Sequence, residues 1–228
     1  MILVMNKKGG LGCTTIAFNL AKIFNLKLYT KKDSFMLSEK YRSLFLNVYK
    51  INSKASSNSI IDIGTQVETK YTKKFILKAK SIIIPTDRGF ESLLLTTQTI
   101  QYIQSINKDI PILLIYNKLS RSDSDRDKNY TDYAKKLFIE FDTKSTRYEY
   151  LRFSYAFQKD LIVGNFFLNS MVDLQDLKSI NYYKIFESIA TNKHSNLELE
   201  FDNDYIRKER KMIKDFYIIT KYIKSLPS

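Results

Sequence analysis

Three glycines in four positions, Gly9, Gly10 and Gly12, stand between an apolar run and a helical pattern in Met1–Leu20, MILVMNKKGGLGCTTIAFNL. No other feature restricts the fold of this chain as much. Met1–Met5 is uniformly apolar and short, which predicts a buried strand. After the turn Lys7–Gly12, Thr14 and Thr15 open a run with apolar residues at Ile16, Ala17, Leu20, Ala21, Ile23 and Phe24. That spacing is one face of a helix. Strand, glycine turn and helix start together make an anion cradle: backbone N–H groups point into the loop and the helix dipole adds positive potential. The glycines let the backbone approach a phosphate where a Cβ would obstruct it. Thr14 stands where a hydroxyl can reach a magnesium ion.

A common phosphate loop ends G-K-[ST], and here the corresponding residues are Gly12-Cys13-Thr14. Lys8–Thr15, KGGLGCTT, resembles the deviant Walker A motif KGGxGKTT of the ParA/MinD family of partition and cell-positioning ATPases. The resemblance implies that Lys8, Gly9, Gly10, Gly12, Cys13, Thr14 and Thr15 surround ATP. It also implies that Lys8 reaches the phosphates of a partner in a nucleotide-sandwich homodimer. Cys13 departs from the motif, because it replaces the lysine that contacts the β- and γ-phosphates. A charged hydrogen bond contributes about 1.5–3 kcal/mol, so its loss weakens binding roughly 10- to 150-fold. Losing a donor to transition-state charge costs roughly 10²–10³ in rate. Nucleotide binding is therefore expected, and efficient hydrolysis is not.

Further along, Asn25–Thr30 alternates like a second strand. The family places a catalytic aspartate near the end of this strand. Asp33 takes that role only with a one-residue shift in register; otherwise it lies in a polar turn. Phe35–Asn58 reads as helical or irregular. Ser59–Gly64 is an apolar strand carrying Asp62, and the resemblance makes Asp62 the Walker B carboxylate that holds Mg²⁺ together with Thr14. Lys70–Lys80 is basic and helical. Ser81–Thr86 is a buried strand ended by Pro85, and a helix with a Leu93, Ile100, Ile103 and Ile106 stripe follows. Pro111–Tyr116 is the next strand, leading into Asn117-Lys118. The family often sets an asparagine there against the nucleotide base, and a strand-terminal turn is the alternative. Leu119–Asn129 is a charged loop and Tyr130–Phe141 a helix. Thr146–Phe153 is a last strand, and Ser154–Asn165 echoes a family segment at Ala156, Lys159 and Gly164. Tyr182–Thr191 is a helix. The expected architecture is α/β: a doubly wound, mostly parallel sheet of P-loop NTPase, ParA/MinD-like type over residues 1–191.

Residues 192–228 read as an addition, an acidic linker followed by a basic amphipathic helix over Tyr205–Leu226. Its stripe of Ile206, Ile213, Phe216, Ile219, Ile223 and Leu226 fits packing on its own domain, a partner, or an anionic membrane as in MinD-like proteins. Composition bounds the function further. The 228 residues carry a formal charge of +13, which favours polyanions such as DNA, although lysine-rich usage alone can produce it. A single cysteine and a single histidine exclude an internal disulfide and a structural zinc site, and fit a cytoplasmic protein. Two functions are expected. One is a ParA-like, nucleotide-responsive dimerising switch with weak or no ATP hydrolysis, binding DNA non-specifically in plasmid or chromosome segregation, with a ParB-like or other protein partner. The other is a nucleotide-independent scaffold that uses the same fold and its C-terminal helix to bind a protein or membrane surface.

Overall fold

The computed structural model describes residues 1–30, 48–51, 55–87, 89–119, 146–152, 182–191 and 203–226. In chain order these form β1 (Ile2–Met5), α1 (Cys13–Ile23), β2 (Lys27–Thr30), β3 (Val48–Lys50), β4 (Ser59–Gly64) and α2 (Lys70–Ile76). They continue with β5 (Ser81–Thr86), α3 (Phe90–Ile106), β6 (Ile112–Leu119), β7 (Thr146–Arg152), α4 (Tyr182–Thr191) and α5 (Asn203–Ser225). The seven strands lie in the order β3-β2-β4-β1-β5-β6-β7, and every pairing is parallel. Parallel strands need long crossovers, and helices on both faces supply them. This is the doubly wound sheet expected from the sequence.

Strand alternation sorts the core into two layers. Ile2, Val4, Leu28, Ile60, Ile83, Leu113 and Ile115 pack on one face with Ile16, Ala17 and Leu20 of α1. Leu3, Met5, Tyr29, Ile61, Ile63, Ile82, Ile84 and Leu114 face the other way, against Phe75 and Ile76 of α2 and Leu93, Ile100 and Ile103 of α3. Because both faces are covered, the inner strands β1, β4, β5 and β6 read as largely apolar runs instead of alternating ones.

Two expectations need correction. Val48–Lys50, within the stretch read as helical or irregular, is a strand paired with β2 at the sheet edge. It is three residues long with Tyr49 and Lys50 exposed, so it carries no apolar pattern. Asn117 and Lys118 lie inside β6 instead of after it, because the ladder to β7 runs on to Leu119 opposite Arg152. Asp33, the 120–129 loop, the Tyr130–Phe141 helix, the Ser154–Asn165 segment with Ala156, Lys159 and Gly164, and the 192–202 linker lie outside the described residues.

The C-terminal helix is part of the same core. Ile213, Phe216, Ile219 and Ile223 of α5 are buried in one cluster with α1, with Tyr183 and Ala190 of α4, and with the sheet residues of that face. These four residues of the stripe that could have lain on a membrane are thus covered by the protein itself.

Candidate functional site

β1 occupies the middle of the sheet, with β4 on one side and β5 on the other. Crossovers from β1 to β4 fill one half of the sheet and those from β5 onward fill the other, so the carboxyl end of β1 is the topological switch point. The glycine loop leaves the sheet there. Gly10 and Gly12 adopt φ of 76° and 90°. Gly12 is the N-cap of α1, has no side-chain cap, and its carbonyl accepts from Ile16 N at 2.9 Å. In any α-helix the first-turn N–H groups lack intrahelical acceptors. Here those groups belong to Cys13, Thr14 and Thr15, and they stand at the edge of the loop. A Cβ on Gly10 would meet nothing within 4 Å, so the loop is open on that side.

Asp62 closes the other side of the site. The register sets Asp62 between Val4 of β1 and Thr30 of β2. Its carboxylate is 2 % exposed, and Oδ2 accepts from Thr14 Oγ1 at 2.8 Å and from Thr30 Oγ1 at 3.1 Å. The hydroxyl and carboxylate expected to act together are therefore in contact. Thr30 was not anticipated, since nothing in its own sequence neighbourhood marks it as a neighbour of Asp62.

The near end of the loop is held by Asn6, a residue that sequence reasoning missed. Asn6 is fully buried. Its Nδ2 donates to the Pro85 carbonyl at 2.8 Å and to Thr96 Oγ1 at 2.7 Å. Its Oδ1 accepts from Lys8 N at 2.9 Å, and its own N–H donates to the Gly64 carbonyl at 3.1 Å. Lys7 N adds a bond to Thr99 Oγ1 at 3.1 Å. The one legible signal is a polar residue ending an apolar strand; its partners are distant in sequence.

Asn117, expected against the nucleotide base or in a strand-terminal turn, stands within β6 at the loop. It is 5 % exposed and its Nδ2 donates to the Leu11 carbonyl at 2.8 Å, beneath the loop. It supports the turn instead of facing outward.

The lysines complete the geometry. Lys7 Nζ pairs with Glu68 at 2.6 Å, just before α2, and Lys8 Nζ pairs with Glu91 at 2.7 Å in the first turn of α3. Lys8, expected to reach a partner's phosphates, is engaged within its own chain. Cys13, in the lysine position, is 8 % exposed and supplies no charge. The loop's positive potential therefore comes from backbone N–H groups and the α1 dipole.

No protein-family model matches the chain, and no curated protein does. Solved structures do. One is a Borrelia burgdorferi B31 protein assigned to plasmid partition and bound to AMPPNP, 15% identical, with TM-score 0.48 over 82% of this chain and 98% of that one. Another is the MinC:MinD cell division complex of Aquifex aeolicus, 14% identical, with TM-score 0.49 over 71% and 86% of the two chains. A third is apo McdA of Cyanthece, 17% identical, with TM-score 0.46 over 82% and 96%.

Proposed function

We propose that the chain is a partition- or positioning-type switch that binds a nucleotide at Gly9–Thr15, hydrolyses it slowly or not at all, and binds DNA without sequence preference. The observation that carries this reading is the 2.8 Å contact between Thr14 and the buried Asp62, beside a glycine loop at the switch point of the sheet. A hydroxyl and a carboxylate are the oxygen donors that magnesium prefers, so this pair fits a magnesium ion or one of its waters. Gly9, Gly10, Gly12, Cys13, Thr14 and Thr15 would offer their backbone to the phosphates, and Thr14 and Asp62 would hold the metal. A bound magnesium ion would neutralise phosphate charge that Cys13 cannot. Dimerisation through Lys8 requires that Lys8 leave Glu91, an exposed pair of the kind that contributes only about 0–1 kcal/mol.

The test is binding of MgATP and MgADP to the purified protein, to Cys13→Lys and to Asp62→Asn. The wild type should bind, Cys13→Lys should bind roughly 10- to 150-fold more tightly, and Asp62→Asn should lose the magnesium dependence. Absence of binding at millimolar nucleotide in all three proteins would sink the reading. A scaffold that has abandoned nucleotide is the second reading, favoured by one observation: the loop's lysines are paired with Glu68 and Glu91. On that reading MgATP leaves the melting temperature of wild type and Cys13→Lys unchanged.

A further inference from the structure

The structure points to the outer face of α2 as a docking surface for duplex DNA, and we propose it as the principal one. This rests on the reading that the chain binds DNA. Between Lys70 and Lys80 the sequence KYTKKFILKAK holds five lysines and no acidic residue. Lys70, Lys73, Lys74, Lys78 and Lys80 are all exposed, whereas Thr72, Phe75 and Ile76 are buried. Lys70, Lys73 and Lys74 recur at the spacing of a single helix face, and Lys78 follows in the turn after the helix. Lys70 to Lys74 span about 6 Å at 1.5 Å per residue, about two phosphates of one strand at about 3.4 Å per step, and Lys78 and Lys80 extend the charge past the helix end.

Ordinary helix stabilisation accounts for only part of this charge. Cations near a helix C-terminus complement its dipole, and Lys73 and Lys74 in the last turn serve that purpose. Lys70 in the first turn opposes the dipole, and Lys78 and Lys80 lie beyond the helix. The mounting is firm, so the backbone positions of Lys70, Lys73 and Lys74 are fixed relative to one another. Thr69 caps the helix through its hydroxyl to Thr72 N at 3.1 Å, and Thr72 Oγ1 donates to the Gln66 carbonyl at 2.8 Å.

The chemistry favours duplex over other polyanions. Single-strand binders combine a groove with several stacking aromatics, and this face offers one, Tyr71, 54% exposed. A membrane-lying helix needs an outward apolar face, but the apolar side of α2 is in the core and only Tyr71 and Leu77 project with the lysines. Lysines without Arg, Asn or Gln on the stripe contact phosphates without reading bases.

The test compares the full chain with a variant carrying Lys70→Gln, Lys73→Gln, Lys74→Gln and Lys78→Gln. A control variant carries Lys108→Gln, Lys184→Gln, Lys214→Gln and Lys221→Gln, four exposed lysines elsewhere with the same loss of charge. Binding to a random-sequence duplex is measured against salt. The α2 variant should lose tenfold or more in affinity, and its log–log salt slope should fall by about three units, while the control retains most of both. On the wild type, duplex should protect Lys70–Lys80 from acetylation as read by mass spectrometry. Equal losses in the two variants, or no protection, overturn the α2 surface and leave DNA binding standing. No duplex binding by wild type at low salt overturns both. Tighter binding to phosphatidylserine vesicles than to duplex, lost in the α2 variant, assigns the face to membrane and overturns the proposal.

Discussion

Gly12 holds φ at 90°, and a Cβ there would lie 2.5 Å from Asn117 Nδ2. Left-handed backbone costs a residue with a Cβ roughly 1–2 kcal/mol, and the clash adds to it. Gly12→Ala should therefore destabilise by about 2 kcal/mol or more, lowering the melting temperature by about 4–8 °C at this chain length. Asn117→Ala should absorb part of that cost, so the double variant loses less than the sum of the singles. Additive losses would show that backbone strain acts alone. Lys22, in the last turn of α1, gives a second test. Burial depresses its ammonium from 10.5 to about 8. Between those values the unfolded chain binds more protons, so stability rises with pH in that window. The penalty is full below about pH 8 and relieved by about 10.5. Lys22→Met should be more stable than wild type at pH 7 in urea unfolding, with the gap narrowing between pH 8 and 10.5. A constant gap would mean that lost or gained packing, and not charge burial, sets the difference.

Among the elements, α5 was legible as a helix because its apolar residues recur on one face, yet periodicity names a face and not what covers it. The structure supplies the cover. Ile213, Phe216, Ile219 and Ile223 are 7% exposed or less. Burying four such side chains is worth about 6–12 kcal/mol, comparable with the whole stability of a domain, about 5–15 kcal/mol. A chain ended at Thr191 should therefore fail to fold, seen as loss of the cooperative thermal transition, and Phe216→Ala should cost about 3–5 kcal/mol. A cooperatively folded 1–191 fragment would show that the helix is dispensable. The strands show the reverse limit. Ser81–Thr86 was readable because its doubly covered middle, Ile82–Ile84, is a continuous apolar run stopped by Pro85, while Val48–Lys50 and the polar end of β6 are defined only by the strands they pair with.

At the scale of the whole molecule, the glycine turn, the helix after it and the acid-tipped strand were readable because each is a local pattern. The order of the strands brings them to one edge of the sheet. What sequence could not disclose are the long-range partners. Glu91 is 83 residues from Lys8, and Asn6 reaches β5 and α3 through its side chain and β4 through its backbone N–H. That mooring has a consequence for how the molecule would respond to a guest. A loop tied at its base to β4, β5 and α3 is already in shape when an anion arrives, so docking repays little entropy of ordering. What is left to shift are two lysine arms, each on a single weak tether to Glu68 or Glu91. Arrival would thus register first as a freed carboxylate at the threshold of α2 or α3, with the frame itself standing still.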